Sequence, residues 1–168
     1  MTLPIARTRD EARVFLDLTP CVCGALDADW RHGTGMVDGE LASAYDAICP
    51  ACGAEREYVF GLPATERGGT FPNFGGSEPS QLLDPGRWLD LADHLADAVP
   101  PDDPRTSAEA LTLAAAAVAE VLKFIPPDED AVPEHAFWSA AGRRIRAAEP
   151  GRFTRARLEI ALATYQSS

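Results

Sequence analysis

The chain has 168 residues, 46% of them hydrophobic, with 26 acidic against 15 basic side chains and a formal net charge of −11. That apolar fraction supports a packed core and excludes global disorder. No run of 18 apolar residues is present to cross a membrane.

The charge is uneven. Residues 1–62 carry 5 Arg and 10 acids (−5), residues 63–104 carry 2 Arg and 8 acids (−6), and residues 105–168 carry 8 basic and 8 acidic groups (0). The first 104 residues therefore repel polyanions and favour a basic protein partner. Acidity that serves only solubility is the plainer reading. The start of the chain lacks the apolar stretch of a secretion signal, so a cytoplasmic location is expected. One lysine, Lys123, against 14 arginines suggests a GC-rich bacterial source.

In chain order, Thr8 to Leu18 reads as a short helix with Ala12, Phe15 and Leu16 on its apolar face. Leu26 to His32 alternates apolar and polar residues, which predicts a half-buried strand. Gly33-Thr34-Gly35 and Asp38-Gly39 supply the expected hairpin turn. Leu41 to Ile48 and Arg56 to Phe60 are the next two strand candidates. Gly61 to Gly86 holds 6 Gly and 4 Pro and reads as an ordered, irregular connection anchored by Phe71 and Phe74.

Helices are expected from there on. Asp84-Pro85 supplies a cap for one with Trp88, Leu91, Leu95 and Val99 on its inner face. Thr106-Ser107-Ala108-Glu109 fits a capping box opening a second, with Leu111, Ala115, Val118, Leu122 and Ile125 inside. A third is expected over 133–148 and a fourth over 150–165, with Leu158, Ala161, Leu162 and Tyr165 facing inward.

The chemistry legible from spacing lies in four cysteines, Cys21-Val22-Cys23-Gly24 and Cys49-Pro50-Ala51-Cys52-Gly53, with 25 residues between the pairs. Four thiolates at about 2.3 Å saturate a tetrahedral zinc, leaving no coordination position for water. Such an ion stabilises and does not catalyse, and about 10–16 kcal/mol of binding would supply much of the local folding free energy. Gly24 and Gly53 permit the tight exits. Two disulfides or a redox Cys49–Cys52 pair are alternatives, disfavoured by a reducing compartment and by the lack of a βαβ pattern. His32 is an alternative ligand, less expected than a structural histidine.

Residues 19–62 resemble the zinc-ribbon family: two cysteine knuckles, a hairpin between them and a strand after the second. The first knuckle is one residue shorter than the family's. The resemblance implies one structural zinc on Cys21, Cys23, Cys49 and Cys52, and leaves function open, since ribbons serve nucleic acids, proteins and structure alike. The whole layout looks like that of a bacterial family joining a zinc ribbon to helices, and implies no activity.

Other candidates are weaker. His32, His94 and His135 lie in no catalytic motif and read as surface or packing residues. Asp84, Asp90, Asp93 and Asp97 read as a solvated helix face. Gly68 to Gly76 lacks the Lys-Ser/Thr of a phosphate loop. Arg143, Arg144 and Arg146, with Arg152, Arg155 and Arg157, could grip phosphate, or more ordinarily pair with the chain's own acids.

The expected class is α+β: a small antiparallel zinc-ribbon sheet packed with a mainly α-helical C-terminal subdomain. Its expected divisions are an N-terminal helix plus ribbon (1–62), a Gly/Pro-rich connection (63–86) and about four helices (87–168). The expected function is a non-enzymatic, protein-binding module, in its specific form immunity- or antitoxin-like toward a basic partner. The alternatives are a nucleic-acid-associated regulator using Arg143, Arg144 and Arg146, and an enzyme with a site beside the Gly/Pro segment.

Overall fold

The computed structural model describes residues 2–65 and 68–168. They form an α+β fold of a three-stranded antiparallel sheet and five α-helices, in two compact units, Met1–Gly76 and Ser77–Ser168. No helix among the described residues is long and apolar enough to cross a membrane.

In the first unit, α1 (Arg9–Leu18) starts where the Thr8 hydroxyl accepts the Glu11 N–H. Glu11 is fully buried, accepting the Arg7 N–H at 2.8 Å and the Arg7 guanidinium at 2.7 and 3.1 Å. This departs from a capping box, in which the acid reaches back to the capping residue itself. Ala12 and Leu16 are fully buried, and the Phe15 ring meets Tyr58 and Phe60 edge-on at 5.7 and 5.5 Å.

The sheet runs β1 (Arg31–Val37), β2 (Glu40–Ile48), β3 (Glu55–Gly61), with β2 central. The last two match the predicted strands within a residue at each end. The first does not: Leu26 to Trp30 is irregular, and Gly33 and Gly35 lie inside β1. Asp38 and Gly39, at φ +50° and +85°, make the two-residue turn that sets the register from Val37↔Glu40 to Arg31↔Asp46. The ladder therefore takes the seven residues that face β2, glycines included. Leu26 stays exposed, while Trp30 is buried against Tyr58.

Ser43, Tyr45 and Ala47 alternate along one face of β2 and are buried, with Cys49 continuing the same line. Of the two expected anchors beyond the sheet, Phe74 is buried and Phe71 is 68% exposed.

In the second unit, α2 (Pro85–Asp97) opens on Asp84 as expected, but its deepest residues are Trp88, Leu89 and Ala92, with Leu91, Leu95 and Val99 half-buried. α3 (Pro104–Leu122) begins before the predicted box. Asp103 accepts the N–H groups of Arg105 and Thr106 at 3.1 and 3.2 Å and the Thr106 hydroxyl at 2.6 Å, so Thr106 is already inside the helix. Ala114, Ala115, Ala117, Val118 and Val121 form its inner face, while Leu111 and Leu122 are half-buried.

The helix expected over 133–148 divides into one 3-10 turn, Glu134–Ala136, and α4 (Ala140–Ala148), because Ser139 restarts it by accepting the Gly142 N–H at 2.9 Å. The last helix likewise divides into the turn Pro150–Phe153 and α5 (Arg155–Gln166), capped by Thr154. On α5, Leu158 is buried, and Ala161, Leu162 and Tyr165 are half-buried. Phe137 and Phe153 meet edge-on at 4.9 Å in the core.

Asp84 is not on a solvated face. It is fully buried, accepting the Arg87 N–H at 3.0 Å and the Ser139 N–H and hydroxyl at 2.8 and 2.7 Å, so one carboxylate serves the starts of α2 and α4. A Cβ on Gly142 would stand 2.2 Å from that carboxylate, and one on Gly86 would stand 2.4 Å from the Gly142 Cα. Only glycine permits the two helix starts to approach this closely.

Candidate metal centre

The two knuckles are built alike. The Cys21 N–H donates to the Ala25 carbonyl at 2.8 Å and the Gly24 N–H to the Cys21 carbonyl at 2.8 Å. In the second, the Cys49 N–H donates to the Ala54 carbonyl at 2.9 Å and the Gly53 N–H to the Cys49 carbonyl at 2.8 Å. Gly24 and Gly53 turn the chain at φ +90° and +77°, a conformation that L side chains rarely adopt.

These turns bring all four sulfurs within 4.8 Å of one another. The short approaches cross from one knuckle to the other: Cys21 Sγ to Cys52 Sγ at 3.7 Å and Cys23 Sγ to Cys49 Sγ at 3.7 Å. Sulfurs about 2.3 Å from a tetrahedral ion stand about 3.8 Å apart, whereas a disulfide needs about 2.05 Å. All four cysteines are free thiols, and the shorter first knuckle converges as well as the second. The cluster can hold one metal ion. His32 is not part of it; its Nε2 lies 2.7 Å from the Ser43 hydroxyl.

The backbone already favours thiolate at one ligand. The N–H of Cys52, then that of Ala51, pulls the Cys49 thiol down to about 6, and the Cys21 and Cys23 sulfurs add to the effect. At Cys52 the Ala54 N–H also pulls downward. It is outweighed by the Cys23 and Cys21 sulfurs and by burial, which push that thiol up to about 12. A divalent cation removes this mutual opposition by taking the place of the protons.

Arg56 supplies a further sign of fit. Its residue is 6% exposed; its guanidinium lies 4.6 Å from the centre of the Trp30 ring and donates to the Thr19 carbonyl. Its Nε and Nη1 have no partner among the described residues. It sits opposite Ala47, two residues from Cys49 on the same face of β2. A buried cation without a carboxylate is costly. Four thiolates around a divalent ion carry a net −2, the opposite charge on the same face.

Three apolar residues near the cysteines in sequence are exposed, Val22 at 94%, Ile48 at 62% and Leu26 at 49%, while Cys21 and Cys49 are buried.

The remaining candidates divide differently. The Nδ1 of His94 lies 2.8 Å from the Asp90 carbonyl at the end of α2. Arg152 binds Asp93 through two bonds of 2.7 and 2.8 Å, so this arginine does pair with an acid of the chain. Arg155 donates to the Pro126 and Glu129 carbonyls, and Arg143 to the Trp138 carbonyl at 2.7 Å. The Arg146 guanidinium lies 5.5 Å from the Phe137 ring centre and 3.9 Å from Glu134. Arg144 is exposed.

One further site stands beside the Gly/Pro-rich connection, where the sequence placed a site only for the enzyme alternative and named none of its residues. A cavity of about 380 Å³ in the first unit is lined by His32, Thr34, Ser43 and Tyr45 from the sheet, and by Arg9 and Asp10 from α1. Gly68, Gly69 and Asn73 of the Gly/Pro-rich connection also line it. The signal was the polar pairs at strand spacing, His32 with Thr34 and Ser43 with Tyr45. They meet only once the register puts Thr34 opposite Ser43 and His32 opposite Tyr45.

Comparison with protein-family models, curated proteins and solved structures returned no match to the chain.

Proposed function

We propose that the first unit is a zinc-stapled protein-binding module whose partner is a basic protein. The observation that carries the reading is the exposure of Val22, Leu26 and Ile48, apolar residues close in sequence to the four cysteines of a cluster that zinc would make rigid. Exposed apolar residues in one place mark interaction surfaces. Exposed acids flank these residues in sequence, Asp27 and Asp29 on one side and Glu55 and Glu57 on the other. Complementary charge of this kind steers a basic partner on and discriminates against acidic ones.

Zinc suits the donor set, since four thiolates select soft divalent ions and tetrahedral geometry. Saturated by four protein ligands, it supplies rigidity and no catalysis. Metal analysis in reducing buffer is expected to give one zinc per chain; substoichiometric zinc at full cysteine reduction defeats the metal assignment. A pull-down from the native host is expected to recover one stoichiometric basic protein with the wild-type chain. The double variant V22S/I48S should lose it while keeping its zinc. Recovery of no stoichiometric partner, or equal recovery by the variant, defeats the binding reading.

A further inference from the structure

We propose that the cavity in the first unit binds the oxyanion of a small molecule, a phosphate or a carboxylate. Its volume of about 380 Å³ lies at the small end of the range for ligand pockets. The walls are fixed by their own bonds: the Thr8 hydroxyl donates to the Asn73 carbonyl at 2.5 Å, and the Asn73 N–H donates to Asp10 at 3.0 Å.

What those bonds leave over, besides the Thr34 hydroxyl and one Asp10 oxygen, is a set of donors. Arg7 is spent on buried Glu11, and His32 and Ser43 are spent on each other at 2.7 Å. Thr8 takes the N–H groups of Glu11 and Ala12, so those of Arg9 and Asp10 at the start of α1 have no partner among the described residues. The Arg9 guanidinium has none either. Independently, Tyr45 is 96% buried, lines the cavity and uses its ring on His32 and Phe60, while its hydroxyl has no partner among the described residues. Two backbone N–H groups, a guanidinium and a phenol, all of residues that line one cavity, can donate, and donors at a helix start select an oxyanion.

Asp10 is the opposing charge on the wall. One of its oxygens is bound by the Asn73 N–H. Recognition therefore rests on directed hydrogen bonds rather than net charge, and the bare anion should bind weakly.

The test is a titration of the zinc-loaded full chain with inorganic phosphate, and separately with acetate, followed by amide NMR. Saturable shifts at the Arg9 and Asp10 amides and the His32 ring are expected for at least one anion, with a dissociation constant on the order of 1 mM. The anion that saturates identifies the ligand class. Arg9→Gln and Tyr45→Phe should each weaken binding about 5-fold or more. Arg9 is exposed, so its variant reads the site even if Tyr45→Phe fails to fold. Shifts that stay linear to about 50 mM with both anions, or undiminished binding by Arg9→Gln, overturn the proposal.

Discussion

The two units reach a fixed structure by different means. In Met1–Gly76, a helix and a small sheet with an exposed edge strand bury Glu11 and Arg56, and two backbone turns gather four sulfurs at the cysteine end. In Ser77–Ser168, four capped helices meet over an apolar core that includes Trp88, Val118, Phe153 and Leu158. The first has turn chemistry and a four-sulfur cluster that an ion would lock, the second side-chain burial at about 1.5–3 kcal/mol for each large residue. Stability in the first should therefore follow metal concentration, and in the second it should not.

The sharpest way to break that contrast is Cys49→Ser. Apparent zinc affinity in small domains is about 10–16 kcal/mol, so losing one ligand should unfold the sheet end of the first unit. NMR should show collapse of dispersion in residues 19–61 while the helical circular dichroism signal largely persists. Excess chelator should do the same to the wild type. Loss of both units together would end the distinction.

The converse substitution is Asp84→Ala. It orphans the Arg87 and Ser139 N–H groups and the Ser139 hydroxyl, and should cost about 3 kcal/mol in the second unit. Thermal unfolding measures this, and bound metal per chain should stay constant.

Arg56→Met asks whether the buried cation supports the metal. Competition with a chromogenic chelator should show about 10-fold weaker binding, largely restored in Arg56→Lys. Equal affinity in all three would reduce Arg56 to a packing partner of Trp30.

The smallest effect is at His94. The Asp90 carbonyl, followed by the Asp90, Asp93 and Asp97 charges, raises its pKa above the ordinary histidine value. A raised pKa contributes stability that is fully present below about pH 6.5 and is lost as pH rises through the shifted value. The side chain is exposed, so the contribution is small. An NMR titration of the His94 ring should place its midpoint above 6.5, and a midpoint at or below that value removes the effect.

How much was legible depended on whether a signal was local. The cysteine pairs, the Asp84-Pro85 start and the Asp38-Gly39 turn each act within a few residues, and each holds its expected place. Alternation from Leu26 to Trp30 misled because strand pairing is set by the turn and by the facing strand, neither of which lies in that segment. The 133–148 pattern hid a restart because Ser139 takes its second partner from 55 residues away. The residues of the cavity beside the Gly/Pro segment were illegible for the same reason. Its polar groups belong to two strands, a helix start and a loop that only the folded register assembles.

The line of side chains along β2 has a practical consequence. Ser43 and Tyr45 face the cavity, and Cys49 ends the same line at the sulfurs, six and four residues away, or roughly 20 and 13 Å along the chain. Cobalt held by the four sulfurs would be a paramagnetic beacon at a known distance, so a molecule bound against Tyr45 could be located from the shifts that the metal imposes on its nuclei.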